Sequence, residues 1–236
     1  MTTLDARSID YAYEPGVQVL HGVDLSAASG EVLGLVGPNG SGKSTLIQVL
    51  FDLLAAQGGS VTIDGHPHTS TAAKDASLYL PSDDYLPQFL TGREYLGLVA
   101  QLYGTRADDP SDLFARFGMQ GRLDDLLEDY SHGMRKKTQL ISALTMRRPV
   151  TVIDETLNGI DVGSLRLCEK ELAHLRDEGG AIVLCTHDFA LLERLADRVV
   201  FLDLGRVVAD DTTAALVAQH GSLATMVFDH LDSAAR

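Results

Sequence analysis

Gly37-Pro38-Asn39-Gly40-Ser41-Gly42-Lys43-Ser44-Thr45 lies between the apolar run Val32-Leu33-Gly34-Leu35-Val36 and the helix-like stretch Thr45-Leu46-Ile47-Gln48-Val49-Leu50-Phe51. A buried strand, a glycine-rich loop and a helix in that order form a phosphate-cradling loop. The glycines allow a tight turn, so backbone N–H groups and the positive end of the helix dipole converge on phosphate oxygens. Lys43 is placed to reach the β- and γ-phosphates, and the Ser44 hydroxyl to ligate Mg²⁺, a cation that takes oxygen ligands. The expected ligand is a nucleotide with its magnesium.

The loop alone leaves many nucleotide-handling proteins open, and three downstream segments narrow the choice. Val150-Thr151-Val152-Ile153-Asp154-Glu155 reads as a buried parallel strand with an acidic tip. Asp154 suits the magnesium shell and Glu155 suits activation of water. Ser131 is placed to N-cap a helix running to about Met146, and Ala181-Ile182-Val183-Leu184-Cys185-Thr186-His187-Asp188 is another buried strand, tipped by a histidine. Alternating short segments up to about Asp64-Gly65 predict an antiparallel β region. Thr91-Gly92-Arg93-Glu94 has capping-box spacing for a helix ending near Gly104. A second helix is expected from Pro110 toward Phe117 and a shorter one over Arg122–Leu127. Beyond Asp161 the pattern runs helix, strand, helix, strand, with Gly205 as the turn between two strands, which points to a parallel α/β core.

This order of motifs resembles the ATP-binding cassette (ABC) family over nearly the whole chain. Gly37–Thr45 matches the family's Walker A loop and Val150–Glu155 its Walker B strand. Ser131-His132-Gly133-Met134 falls at the signature motif, Ile160-Asp161 at the D-loop and Thr186-His187-Asp188 at the histidine switch. The resemblance implies a P-loop NTPase fold of α/β class, with a parallel β core, an N-terminal antiparallel β region and a helical insertion. It further implies one cassette over 1–236, with the core at 1–81 and 149–236 and the helical, signature-bearing part at 82–148. Tyr13 stands where the family stacks an aromatic ring on adenine; Glu155 would be the general base and His187 the γ-phosphate contact. Ser131 and Gly133 of the signature would act in trans, on ATP held by a second cassette, and Asp161 of the D-loop would be a further nucleotide-site residue, so a homodimer or a heterodimer with a related cassette is part of the implied site.

The chain departs from the family's pattern at three places. The signature is usually Leu-Ser-Gly-Gly-Gln; here Tyr130, His132 and Met134 replace its first, third and fifth residues, while the Ser and second Gly remain. After Ser77-Leu78-Tyr79-Leu80-Pro81 the family places a glutamine that contacts Mg²⁺ and senses the membrane partner; here the residue is Ser82, followed by Asp83 and Asp84. Finally, Thr156-Leu157 follows Glu155 where Pro-Thr is commoner.

A length of 236 residues suits one cassette and not two in tandem. The longest apolar runs are strand-sized, well below the ~18 residues of a membrane span. The start, Met1 to Arg7, lacks a secretory pattern, so a cytoplasmic setting is expected. Cys168 and Cys185 are the only cysteines and read as reduced structural thiols. Nineteen Lys and Arg against 33 Asp and Glu give a net charge of −14. That disfavours nucleic acid and anionic lipid as nonspecific partners, so attachment to the inner face of a membrane would come through integral-membrane subunits. The resulting expectation is the ATPase subunit of an ABC transporter. Leu80–Leu96 looks most like the equivalent region of export ATPases. A soluble ABC-type ATPase for assembly or repair, and an ATP-responsive module that hardly hydrolyses, are the competing readings.

Overall fold

Four runs of consecutive apolar residues become the buried strands β3 (Glu31–Val36), β7 (Val150–Asp154), β8 (Ala181–Cys185) and β9 (Arg198–Asp203). With β6 (Ser77–Leu80) and β10 (Arg206–Thr212) they form one six-stranded sheet in the order β10-β9-β3-β8-β7-β6. All neighbours pair in parallel except β10, which returns antiparallel beside β9. A parallel sheet is covered on both faces, and side chains alternate along each strand. Val36, Ile153, Ile182, Leu184, Val199 and Phe201 accordingly join one hydrophobic core. Leu33, Leu35, Val152, Val183, Val200 and Leu202 join the other.

The second core is closed by α1 (Lys43–Leu50), whose Leu46, Ile47, Val49 and Leu50 are wholly buried. It is closed further by an antiparallel sheet of β1 (Thr2–Glu14), β2 (Val17–Ala28), β4 (Gly58–Ile63) and β5 (His66–Pro67), in the order β2-β1-β4-β5. Register shifts along β1 let this strand bend; near its end Tyr11 stays in the core, and the Tyr13 hydroxyl reaches Thr45 of α1. A short helix α2 (Thr71–Asp75) leads into β6.

On the opposite face lie α3 (Gly92–Leu102), α4 (Ser111–Arg116), α5 (His132–Met146), α6 (Val162–Asp177) and α7 (Phe189–Leu195), followed after β10 by α8 (Thr213–His220) and α9 (Leu223–Ala234). The capping box at Thr91 and Glu94 forms in full, and Ser131 caps α5 by accepting from the Met134 N–H. The expected helix over 122–127 is absent. Leu126 is extended and bridges Thr91, and only Leu127–Asp129 makes a single 3₁₀ turn. The cause is competition for backbone bonds: the Leu127 N–H donates to the Leu90 carbonyl, and the carbonyls of Leu123 and Asp125 accept from Arg93 and Gly92 at the start of α3.

The computed structural model describes residues 2–105 and 109–234; residues 1, 106–108 and 235–236 of the expected single unit lie outside the described residues. No described helix is long and apolar enough to cross a membrane. Cys168 and Cys185 are free and buried.

Candidate functional site

Parallel strands deliver their following loops to one edge of a sheet, and that edge is where such folds bind ligands. Here β3 delivers Gly37–Gly42, β7 delivers Glu155, β8 delivers Thr186-His187, and β6 delivers Ser82. Tyr13, Asn39, Gly40, Gly42, Lys43, Ser44, Thr45, Asp154 and Glu155 line a single cavity of about 520 Å³ together with Val19 and Ser82.

The floor of that cavity is the start of α1. Gly42 caps the helix in a left-handed conformation (φ 105°), and no side chain satisfies the first N–H groups. Those donors are the ones an anion would take. The Lys43 ammonium donates to the carbonyls of Gly37 at 2.8 Å and Pro38 at 3.1 Å, which holds it against the loop at the phosphate end. Gly37, Pro38 and Ser41 do not line the cavity; they shape the loop from beneath. A Cβ on Gly37 would stand 2.1 Å from the Leu202 carbonyl oxygen, so glycine is required for the loop to seat on β9. The other end of the cavity carries Tyr13. Its ring is 58% exposed, meets Tyr11 edge-on at 5.0 Å, and its hydroxyl lies 3.1 Å from the Thr45 hydroxyl.

Asp154 is buried at the end of β7. Burial pushes its carboxyl up from the usual range; a hydrogen bond from Cys185 opposes this, neighbouring Glu155 adds to it, and the Lys43 charge and a Ser44 hydrogen bond oppose it. The Tyr79 hydroxyl lies 3.5 Å from the same carboxylate. A hydroxyl and a carboxylate facing one cavity are a hard oxygen donor set, and they fit Mg²⁺ completed by phosphate oxygens and water.

Glu155 adopts φ 53°, a left-handed conformation costly for a residue with a side chain, and its N–H is tied to the Cys185 carbonyl at 2.8 Å. Such strain concentrates at functional sites. It turns the carboxylate toward His187, whose Nε2 donates to Oε1 at 2.8 Å. The imidazole is itself held by a tight turn, in which Asp188 caps α7 and donates its own N–H to the Thr186 hydroxyl. His187 does not line the cavity and reaches it through Glu155.

Ser131, Gly133 and Asp161 stand apart from the cavity. Ser131 and Gly133 sit at the exposed start of α5. Asp161 caps α6 through the Ser164 N–H and pairs with Lys137 at 2.6 Å; the lysine and that backbone bond hold its carboxyl far below the usual range, against the opposing effect of burial. Lys136 reaches the Asn158 carbonyl at 2.9 Å, so the start of α5 and the loop before α6 form one braced unit.

Two contacts of Asp154 were not read from the sequence. Tyr79 and Cys185, the latter read only as a structural thiol, face Asp154, and the period-two alternation of their strands is the signal that could have found them. Thr156, the departure where the family pattern has proline, is fully buried, and its hydroxyl donates to the Leu80 and Pro81 carbonyls. It fixes the turn after Glu155 to the strand that delivers Ser82.

The family model described as ABC transporter matches residues 20–158. An uncharacterised ABC transporter ATP-binding protein, YdbJ of Bacillus subtilis, is 34% identical over 200 residues, 82% of this chain and 64% of its own length. The daunorubicin/doxorubicin resistance ATP-binding protein DrrA of Streptomyces peucetius is 33% identical over 213 residues, 88% of this chain and 64% of its own. The chain thus spans a little under two thirds of the length of these two relatives. A solved ATP-binding subunit of an ABC transporter superposes with a TM-score of 0.86 at 28% identity, covering 93% of both chains. With the loop, the acidic strand tip and the histidine gathered at one sheet edge, these matches show that the chain belongs to the ABC transporter family.

Proposed function

We propose that this chain is an ATP-hydrolysing subunit of an ABC transporter, working as one of two paired cassettes beneath separate membrane subunits on the cytoplasmic face. The observation that carries the reading is the Glu155–His187 pair at the rim of a cavity that also holds Lys43, Ser44 and Asp154. ATP is the substrate. Its phosphates take the N–H groups at the start of α1 and the Lys43 ammonium, and its adenine takes the open face of Tyr13. Mg²⁺, held by Ser44 and Asp154, supplies charge for the phosphates. Glu155 orients water and accepts its proton, and His187 fixes the carboxylate and contacts the γ-phosphate. Ser131, Gly133 and Asp161 complete the site of the paired cassette, and residues 82–148 form the lever that carries Ser131 and Gly133 to it.

The membrane partner has a fitting surface. Tyr85 and Phe89, on the loop that follows Ser82, are 87% and 78% exposed; Leu53 is exposed at a groove built on Phe51, Tyr79 and Tyr103, and Leu102 is exposed at the end of α3. Large apolar side chains left in solvent suit an obligate partner. Relatives at this identity carry both export and import names. The export assignment therefore rests on the Leu80–Leu96 segment.

Purification of the chain from its native membranes in mild detergent tests the reading. A polytopic membrane protein recovered in comparable amount, raising ATPase activity, is the expected result. Recovery with soluble partners alone would replace it with a soluble assembly ATPase. The adenine contact has its own test: Tyr13→Ala is expected to raise the Kd for ATP about 5- to 100-fold and Tyr13→Phe by less than about twofold, measured by calorimetry.

A further inference from the structure

The family's metal-sensing glutamine is absent at Ser82, and the signature carries His132 where a glycine is usual. The structure brings these two departures together. The loop from Ser82 to Leu90 begins at the nucleotide cavity, where Ser82 is a lining residue, and continues through the exposed Tyr85 and Phe89. Between Ser82 and Tyr85 stands Asp84, whose side chain is 19% exposed. Its Oδ2 accepts from His132 Nδ1 at 2.9 Å and lies 3.4 Å from Arg135 Nη1. One residue earlier, the Asp83 carbonyl accepts from the Gln139 side chain at 2.9 Å. The loop is thus clasped to the first two turns of α5.

The position of the clasp matters more than its number of bonds. His132 lies directly between Ser131 and Gly133, the two residues expected to meet the ATP of the paired cassette. Burial pushes the Asp84 carboxyl up, but hydrogen bonds and charge from His132 and Arg135 more than offset this, so Asp84 stays an ionised acceptor. An ionised carboxylate only accepts, which fixes the imidazole with Nδ1–H toward the loop. A glycine at 132 would leave the turn before α5 free of the loop; a histidine makes it follow the loop.

We infer that Asp84 is a positioning residue for cassette closure: through His132 it locks the Ser131–Gly133 turn to the loop bearing Tyr85 and Phe89, and so carries the link between the partner-facing surface and the trans phosphate contact. The inference rests on the paired-cassette reading above. It assigns Asp84 no contact with the nucleotide bound in its own chain.

The test uses the full chain in a Glu155→Gln background, so that ATP is bound and not consumed. Two affinities are read: that of dilute monomer for the fluorescent analogue mant-ATP with Mg²⁺, and that of ATP-driven self-association by sedimentation. Asp84→Ala is expected to weaken self-association about tenfold, the loss of a charge-assisted hydrogen bond, with mant-ATP affinity unchanged. Asp84→Asn, which keeps an acceptor oxygen, restores most of the loss. In a double-mutant cycle the effects of Asp84→Ala and His132→Ala are non-additive, as expected for residues in contact. Unchanged self-association in Asp84→Ala, a parallel loss of mant-ATP binding, or additive effects would each overturn the inference. A Glu155→Gln parent that binds mant-ATP and stays monomeric at every ATP concentration fails the two-copy reading itself, and the inference with it.

Discussion

Glutamine in place of Glu155 is expected to cut ATP turnover by about 10²–10⁴-fold while leaving ATP affinity within about twofold. The substitution preserves volume, and the amide oxygen still accepts from His187 Nε2, so the 2.8 Å contact and the strained φ of 53° both persist. What is lost is basicity: the amide cannot take the proton of an attacking water. His187→Ala leaves the carboxylate in place but frees its orientation, and a smaller loss of about 10- to 100-fold is expected. Measured kcat and Kd for the three proteins under saturating Mg²⁺ and ATP separate these roles. Equal basal rates in the parent and the Glu155→Gln variant would move the chain to the ATP-responsive module that binds without turnover. The order Glu155 before His187 in effect size distinguishes a base from the group that aims it.

The parts of this site legible from sequence are those whose chemistry and position are both local. The loop over 37–45 needs its glycines and lysine at fixed spacing, and the strands that feed the edge are uninterrupted apolar runs, so both were readable residue by residue. Ser131 as a cap was readable for the same reason: the N–H it accepts from, that of Met134, is three residues away. The misread segment, 122–127, has a helix-compatible composition. Its backbone groups are taken instead by residues 90–93, a long-range competition that periodicity does not register. Asp84 and His132 were both visible as departures, but neither alone predicts the other; their pairing depends on how the loop after β6 crosses α5. The Tyr79 contact with Asp154 likewise follows from β6 pairing with β7 in the register Tyr79↔Val152. Sequence gives the groups, and the sheet order decides which of them meet.

Gly205 is where that distinction has its largest measurable consequence. The turn between β9 and β10 was readable from the glycine, and the register Asp203↔Arg206 makes it a two-residue hairpin with Leu204 at φ 44° and Gly205 at φ 69°. Positive φ at both positions matches the right-handed twist of the flanking strands. The turn has a second role that no local pattern carries. The Gly205 N–H donates to the Ser41 carbonyl at 2.9 Å, inside the phosphate loop, and its carbonyl accepts from His21 at 2.9 Å. A Cβ at this position would lie 1.9 Å from the Val19 carbonyl oxygen, and Val19 lines the nucleotide cavity. Alanine here cannot be absorbed by rotating a side chain, because the obstacle is backbone. Gly205→Ala is expected to cost about 2–4 kcal/mol in urea unfolding, as a steric clash added to an unfavourable φ. Because the displaced turn releases Ser41, ATP affinity should fall in the same variant by about tenfold or more, the loss of one aligned hydrogen bond beneath the loop. Gly221 provides the comparison: it has φ 84° with nothing within 4 Å of its would-be Cβ, and it lies beyond the site at the end of α8. Gly221→Ala should cost roughly 1–2 kcal/mol from conformation alone and leave ATP binding unchanged. If the two variants lose equal stability and both keep ATP affinity, the hairpin does not brace the phosphate loop; a loss of affinity confined to Gly205→Ala identifies the turn as part of the nucleotide site's support.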